Sequence, residues 1–408
     1  MFKRSKIAIF SLLDTPAFGG AEQYLFSHLQ FLSKNGYEIV LATNNKVVKK
    51  EIFSRLTKKE QRTFHIIKLP YRLDAIGNWK GLVKFFINLP IALVWCFNTL
   101  RRLKKEYQQV ICLWPGFSDR LVFSPLAKLF NLSLIWIEIG PLEPTFKRNW
   151  GFPRLLYQFS EQFPNHIVTI SQFSKKSILK NTHFREKNIS LVYPGTRLYS
   201  RKVLGGFRKK AIAFRKEENI VTTKPIGVVA RLADENEVDM VLRAFSEYVQ
   251  KHFKNDVKLL IIGDGPQRHQ LQKLARSLQI TNRVHFLGFV SEEEKRIILS
   301  TCSFFIFPRA WELDGFGMTT IEAMSLGLPA LTTDFGPQIE IVTNGKEGFR
   351  YKPHNSKDLA KYIEKMMKLN FSKRSLMSRN ALVRATYFSE LKSHQLMISV
   401  IEKLAIFY

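Results

Sequence analysis

Acidic side chains are scarce: 34 Asp and Glu stand against 63 Lys and Arg in 408 residues, a formal charge of +29. A chain this basic seeks polyanions, which leaves nucleic acid, an anionic membrane or phosphorylated substrates. Cysteine is scarce too. Cys96, Cys112 and Cys302 are odd in number, far apart and set in apolar sequence, with no CxxC pair and no zinc-spaced Cys/His cluster. That excludes a disulfide scaffold and a zinc module, and reads as buried free thiols in a reducing compartment. Long uninterrupted apolar runs are missing as well. The run from Ile7 to Leu13 ends at Asp14 with no small-x-small cleavage site, so it reads as a buried first strand rather than a signal peptide. Between Leu82 and Leu100 the residues Lys84, Asn88, Pro90 and Asn98 intervene, leaving too little for the ~20 apolar residues of a spanning helix. The basic run Arg101 to Lys105 follows at once. Two readings stay open there: a monotopic element on an anionic leaflet, or a buried helix with a solvated basic end.

What is present is ordinary globular composition, 45% apolar and 24% charged, over a length suited to two domains or three. The first fifty residues alternate. KIAIFSLL (6–13) is a strand, FGGAEQ (18–23) a glycine turn, and Ala21, Leu25, Leu29 and Leu32 line one helical stripe that Gly36 stops. YEIVLAT (37–43) is the next strand, which makes a βαβ unit. Strands are also expected at 109–114, 132–139, 166–171 and 189–194, with helices between them. Residues 201–224 break this pattern and read as a basic linker or surface excursion. A second series then starts. It has strands at 225–232, 257–265, 283–289, 302–308 and 329–334, and helices at 237–253, 266–280, 291–300 and 319–327. A last helix at 389–405 has no strand after it. Such alternation predicts α/β architecture: two doubly wound, Rossmann-like parallel sheets facing a central cleft. The expected domains are 1–198, 199–385, and a final helix in 386–408 that packs back on the first.

Chemistry concentrates in WELDGFGMTTIEAMSLGLPALTTDFG (311–336). Gly315 and Gly317 let the backbone approach a ligand, and the N–H groups near Met318, Thr319 and Thr320 suit a phosphate. Asp314 and Glu322 lie eight positions apart. One carboxylate is placed to hold a sugar hydroxyl and the other a ribose, if both face one cleft. A tight turn before a helix with an acidic side chain is the plainer alternative.

This segment resembles the donor-site motif of family 4 glycosyltransferases, retaining enzymes of the GT-B fold. Asp314, Phe316, Gly317, Glu322, Ala323 and Met324 follow the family's Glu, seven residues, Glu pattern. FGGAE (18–22), TISQFSK (169–175), VYPGT (192–196), ARL (230–232), IIGDGP (261–266), VHFLGFV (284–290), FFIFPR (304–309) and DFGPQIEIVTNGKEGF (334–349) fall into the same order. The resemblance spans nearly the whole chain and is strongest from 226 to 353. It implies that Gly19 and Gly20 approach the donor phosphates and that Arg231 contacts the diphosphate. Glu322 would hold the ribose, and Asp314 would stand near the transferred sugar, with Arg231, Glu322 and Asp314 as the catalytic set. Phe316, Gly317, Met318 and Thr319 would line sugar and phosphate, while Gly263, Asp264, Pro266 and Phe289 would border the base. Asn236, followed by Glu237, occupies the place of the family's usual diphosphate-site Lys. Ile139 precedes Gly140 where a His is common. Trp114 to Phe117 would either border the acceptor or pack a loop.

The expected activity is retaining transfer of a hexose from a UDP- or GDP-sugar to a glycan or lipid-linked acceptor in cell-envelope polysaccharide synthesis. The resemblance implies no metal and no cofactor, the nucleotide-sugar being substrate. A catalytically impaired binding module of the same fold is the alternative. Nucleic acid is not an expected partner, since no zinc finger, basic zipper or RNA-binding aromatic signature is present. The excess charge is concentrated in residues 1–200, with 30 Lys and Arg against 12 Asp and Glu, or +18. An anionic membrane surface is therefore an expected partner, and the expected location is cytoplasmic, at the inner face of the cell membrane.

Overall fold

Continuous apolar runs such as IAIFSL and LLII are the signature of strands covered on both faces, and they build two all-parallel sheets. The computed structural model describes residues 7–13, 19–71, 79–114, 116–147, 151–217, 220, 225–310 and 315–406. The chain divides into two compact units, Met1–Pro194 with Leu391–Tyr408, and Gly195–Glu390.

The first unit runs β1 (Ile7–Leu12), α1 (Gly20–Lys34), β2 (Glu38–Thr43), α2 (Lys46–Arg55), β3 (Phe64–Lys68), α3 (Trp79–Glu106), β4 (Gln109–Trp114), α4 (Phe117–Leu129), β5 (Ser133–Glu138), α5 (Glu143–Phe146), α6 (Phe152–Ser160), β6 (His166–Thr169), α7 (Gln172–Asn181) and β7 (Ile189–Leu191). Its strand order is β3-β2-β1-β4-β5-β6-β7. The core beneath one sheet face joins Phe10, Cys112, Trp114 and Trp136 to Phe85, Ala92 and Cys96 of α3 and Phe123 of α4. The strand β3 was not among the expected elements, although its run FHIIK carries strand-forming residues.

The second unit runs α8 (Arg201–Glu217), β8 (Ile226–Val229), α9 (Val238–Lys251), β9 (Leu259–Ile262), α10 (Arg268–Ser277), β10 (Val284–Gly288), α11 (Glu292–Leu299), β11 (Phe304–Ile306), α12 (Met318–Ser325), β12 (Ala330–Thr333), α13 (Gln338–Ile341), β13 (Gly348–Tyr351), α14 (Ser356–Met367) and α15 (Phe371–Tyr387). Its order is β10-β9-β8-β11-β12-β13.

Two expectations need correction. The supposed linker at 201–224 contains helix α8. Leu204 and Ala211 are buried two turns apart against α11, and Lys210 pairs with Glu293 at 2.5 Å. Dense Lys and Arg hid that stripe. The stretch from Leu82 to Leu100 is not too short: α3 has 28 residues, and Val83–Glu106 is long and apolar enough to cross a membrane by length and composition. Pro90 sits inside the helix with its ring exposed, so no neighbouring element is displaced.

Helix α16 (Glu390–Ile406) completes the first unit. Ser393 donates to the Tyr193 carbonyl at 2.5 Å, and the His394 ring stacks on Phe31 at 4.5 Å and meets His28 edge-on at 4.9 Å. The three cysteines are buried and unbridged, and burial pushes the Cys302 thiol up to about 12.

The His28 and His394 pair makes α16 acid-sensitive. Burial, helped by His394, holds His28 well below 6.5; burial, helped by Lys34, holds His394 at about 4. Both rings are neutral in the fold, whereas the unfolded chain takes up protons near 6.5. Stability is therefore lost as pH falls from about 6.5 towards about 4, by up to about 1.4 kcal/mol per pH unit for each ring. Amide protection factors in α16, corrected for the pH dependence of intrinsic exchange, should fall over that window, and His394→Phe should flatten the fall in Tm.

Candidate functional site

Open parallel sheets present ligands with the carboxyl ends of their strands, at the point where strand order reverses. In the second unit that point lies between β8 and β11, because β9 and β10 extend from one and β12 and β13 from the other. Two loops leave from there. The loop after β8 carries Arg231 and Asn236. The loop after β11 passes Gly315, Phe316 and Gly317 into α12. The loops after β9 and β10, with Gly263, Asp264 and Phe289, border the first.

Backbone contact makes these loops one surface. The Gly263 N–H donates to the Gly288 carbonyl at 2.8 Å, and Leu232 N–H to Asp264 O at 3.0 Å. At Gly263, φ is +131°, and a Cβ would stand 2.0 Å from the Ala230 carbonyl oxygen, so only glycine fits. Asp264 is held by Arg268 at 2.9 Å and by the Gly265 N–H at 2.8 Å. Phe289 is 91% exposed, an apolar ring offered to solvent beside these loops.

Arg231 is largely exposed and pairs with Glu235. The Glu235 carboxyl lies below its usual range, held there by a backbone hydrogen bond and by Arg231, with Arg309 adding its charge. Two guanidiniums from opposite sides of the switch therefore act on one carboxylate. Arg309 had no assigned role in the sequence; its place just after the apolar strand FFI was the available signal. Asn236 does not point outward. It is buried, and its Nδ2 donates to the Arg231 carbonyl at 2.9 Å, bracing the arginine's backbone. Glu237, at φ +47°, is engaged by His354 Nδ1 at 2.5 Å, and burial raises its carboxyl.

Gly317 turns the chain into α12 at φ +90°, and a Cβ there would meet Gln338 Nε2 at 1.9 Å. That Nε2 donates to the Phe316 carbonyl at 3.0 Å, and Thr320 donates to Gln338 Oε1 at 2.9 Å. Phe316 is buried with its ring against Phe388 at 5.5 Å, so it anchors the loop by its side chain. Met318 and Thr319 open the helix half-buried, and its N-cap residue, Gly317, carries no side chain to cap it. Those N–H groups and the helix dipole favour an anion. One turn on, Glu322 meets Lys295 Nζ of α11 at 2.9 Å. Burial raises the Glu322 carboxyl and Lys295 opposes it; Lys295 itself is held above its usual range by Glu322 and Glu292 against its own burial. Sequence reasoning missed Lys295, whose sequence distance from Glu322 gave no hint of contact. Asp314 lies outside the described residues.

In the first unit, the Gly19 N–H donates to the Glu22 carboxylate at 2.8 Å, and Gly20 begins α1. A Cβ on Gly20 would meet nothing within 4 Å, so its side of the loop is open. Trp114 is fully buried, which resolves it as packing. Glu138, before Ile139 and Gly140, is buried with Arg120 and accepts from the Tyr157 hydroxyl at 2.6 Å.

Residues 210–384 match the model of the family described as Glycosyl transferases group 1. An uncharacterized glycosyltransferase of Methanocaldococcus jannaschii, MJ1607, is 24% identical over 49% of this chain and 50% of its own length; for a second one of that organism, MJ1059, the match covers 61% of that protein. The chain thus spans about half to three-fifths of these relatives. The Staphylococcus aureus capsular polysaccharide biosynthesis glycosyltransferase CapM is 26% identical over 76% of this chain and 88% of its own. Among solved structures, Anabaena HepE in complex with UDP and glucose superposes with TM-score 0.75 at 17% identity, covering 97% and 99% of the two chains. The fold is GT-B.

Lys295→Met would leave the Glu322 carboxylate half-buried and unpaired. Urea unfolding should show a loss of about 1–3 kcal/mol, and adding Glu322→Gln should recover most of it. Additive losses in that double-mutant cycle would show that the two groups are not coupled.

Proposed function

We propose that this chain, whose residues 210–384 match the model of the Glycosyl transferases group 1 family, transfers a hexose from a UDP- or GDP-sugar to a glycan or lipid-linked acceptor, with retention, during cell-envelope polysaccharide synthesis. The observation that carries the reading is the sheet switch of the second unit. It gathers two arginines and a helix N-terminus whose N-cap is glycine around the loops where strand order reverses. The UDP and glucose bound by HepE and the capsular role in CapM's name support the donor and the pathway class.

The chemistry follows from charge. Cleaving the sugar–phosphate bond leaves a nucleoside diphosphate on which negative charge grows. Arg231 takes phosphate oxygens by its planar fork, exchanging its Glu235 partner for the ligand. Arg309 adds a second cation across the switch, and the N–H groups at Met318 and Thr319 add the helix dipole. Fixed donors of this kind stabilise charge most where it develops. The reading therefore needs no metal ion and no cofactor. Glu322, oriented by Lys295, holds the ribose hydroxyls. By their places in the motifs Asp314 is assigned to the transferred sugar and Gly19 and Gly20 to the phosphates, while Gly263 and Asp264 with Phe289 border the base. Asn236 serves as a brace rather than a ligand.

A panel of nucleoside diphosphates and their sugars tests this. One nucleotide class should raise Tm, and its sugar should be hydrolysed or transferred with the anomeric configuration kept, as read by NMR. Arg231→Ala should lower kcat/KM by about 10- to 100-fold, the worth of a charge-assisted hydrogen bond. Silence across the panel refutes the reading. Asn236→Lys should change activity little, because Arg309 already supplies a second cation. Strong activation by that substitution would instead favour the impaired binding module.

A further inference from the structure

Helix α3 has two apolar faces and one sheet to cover. Its inner face places Phe85, Ala92, Cys96, Leu100 and Leu103 in the core of the first unit. Its outer face presents Val83, Phe86, Ile87, Ile91, Val94 and Phe97 at 47, 53, 67, 55, 63 and 37% exposure. Those positions follow i, i+3, i+4, i+8, i+11 and i+14, a single stripe. At 1.5 Å per residue it runs about 21 Å along the helix. Phe97 carries it to the end of α4, where its ring meets that of Phe130, just past the helix, at 5.0 Å beside the exposed Leu129. Soluble proteins scatter exposed apolar residues singly; a continuous stripe is a contact surface.

Charge says what the surface meets. Lys80 and Lys84 flank the stripe at one end, and Arg101, Arg102 and Lys105 at the other, all exposed. Glu106 is the one acidic residue in the helix. Lys104 is engaged elsewhere, donating to the Phe130 carbonyl at 2.6 Å. Residues 1–200 carry +18 in all. A second copy is a poor occupant, because either two-fold pairing of this helix sets cations against cations. Spanning a bilayer is also a poor use of it, because the inner face would leave its core. A layer that is apolar within and phosphate-anionic at its surface matches both features.

We propose that α3 docks the protein, lying in the plane of an anionic bilayer. The outer stripe sinks into the headgroup and acyl boundary, and the flanking cations pair with lipid phosphates. The docking is independent of the donor chemistry, and its test uses no nucleotide or sugar, so either reading can fail alone.

The experiment is co-sedimentation of the full chain with vesicles of phosphatidylcholine, or of equimolar phosphatidylcholine and phosphatidylglycerol, at physiological salt. The chain should bind the anionic vesicles and leave the neutral ones. Ile87→Asp with Val94→Asp should cut binding about tenfold or more with Tm unchanged, since both side chains are exposed. Arg101→Gln with Arg102→Gln should cut it about fivefold per cation. Failure to bind anionic vesicles overturns the proposal. So does undiminished binding by the aspartate variant, or resistance of the bound protein to alkaline carbonate extraction, which would mean that the helix spans. A dimer that the same aspartates dissociate would give the stripe to a second copy and overturn it as well.

Discussion

A parallel sheet must be covered on both faces, and that constraint governs most of what this chain does. Strands such as β1 and β5 are buried along their whole length and carry almost nothing that can react. Chemistry is left to the loops at the carboxyl ends, and among them to the pair that flanks the reversal of strand order. In the second unit those two loops hold Arg231 on one side and Gly317 on the other. Their positions are set by the sheet, while their shapes are set by glycines. Gly263 brings two backbones to within a distance that any side chain would forbid.

The electrostatics of the site are built from pairs already made. Arg231 rests on Glu235, and Glu322 rests on Lys295. Buried or half-buried charges left alone would cost the fold more than the pairs contribute. Pairing keeps the groups ionised and oriented before any ligand arrives. The same economy explains Asn236 and Glu237. With the amide turned to the Arg231 carbonyl and the carboxylate to His354, neither residue opposes an anion as its bare sequence suggests.

What the sequence disclosed follows from range. Period and composition sufficed for the buried strands and for amphipathic helices such as α9 and α10, because those signals are local. The glycine turn before α12 and the exposed Arg231 were legible as motifs, and the fold brings both to one sheet end. The contacts that orient them were not. Lys295 reaches Glu322 across 27 positions, and Gln338 reaches Phe316 across 22. No pattern within either segment predicts such pairings. α8 escaped for a different reason. Its stripe is narrow and set in charge, so polarity outweighed period. The buried reading of α3 accounts for its inner face alone, since its outer stripe is apolar and exposed.

The chain leaves the first unit at Pro194 and returns at Leu391, and the crossing segments are bonded to each other, Thr196 N–H to Phe388 O at 2.8 Å and Glu390 N–H to Thr196 O at 3.0 Å. The second unit is therefore a guest within a host. During synthesis the host appears first but lacks its last helix until the guest has been made, whereas the guest is whole as soon as it emerges. The surface that α16 will cover, including His28, must wait uncovered on the ribosome for the full length of the guest. The order of the units in sequence is therefore not the order in which they are finished.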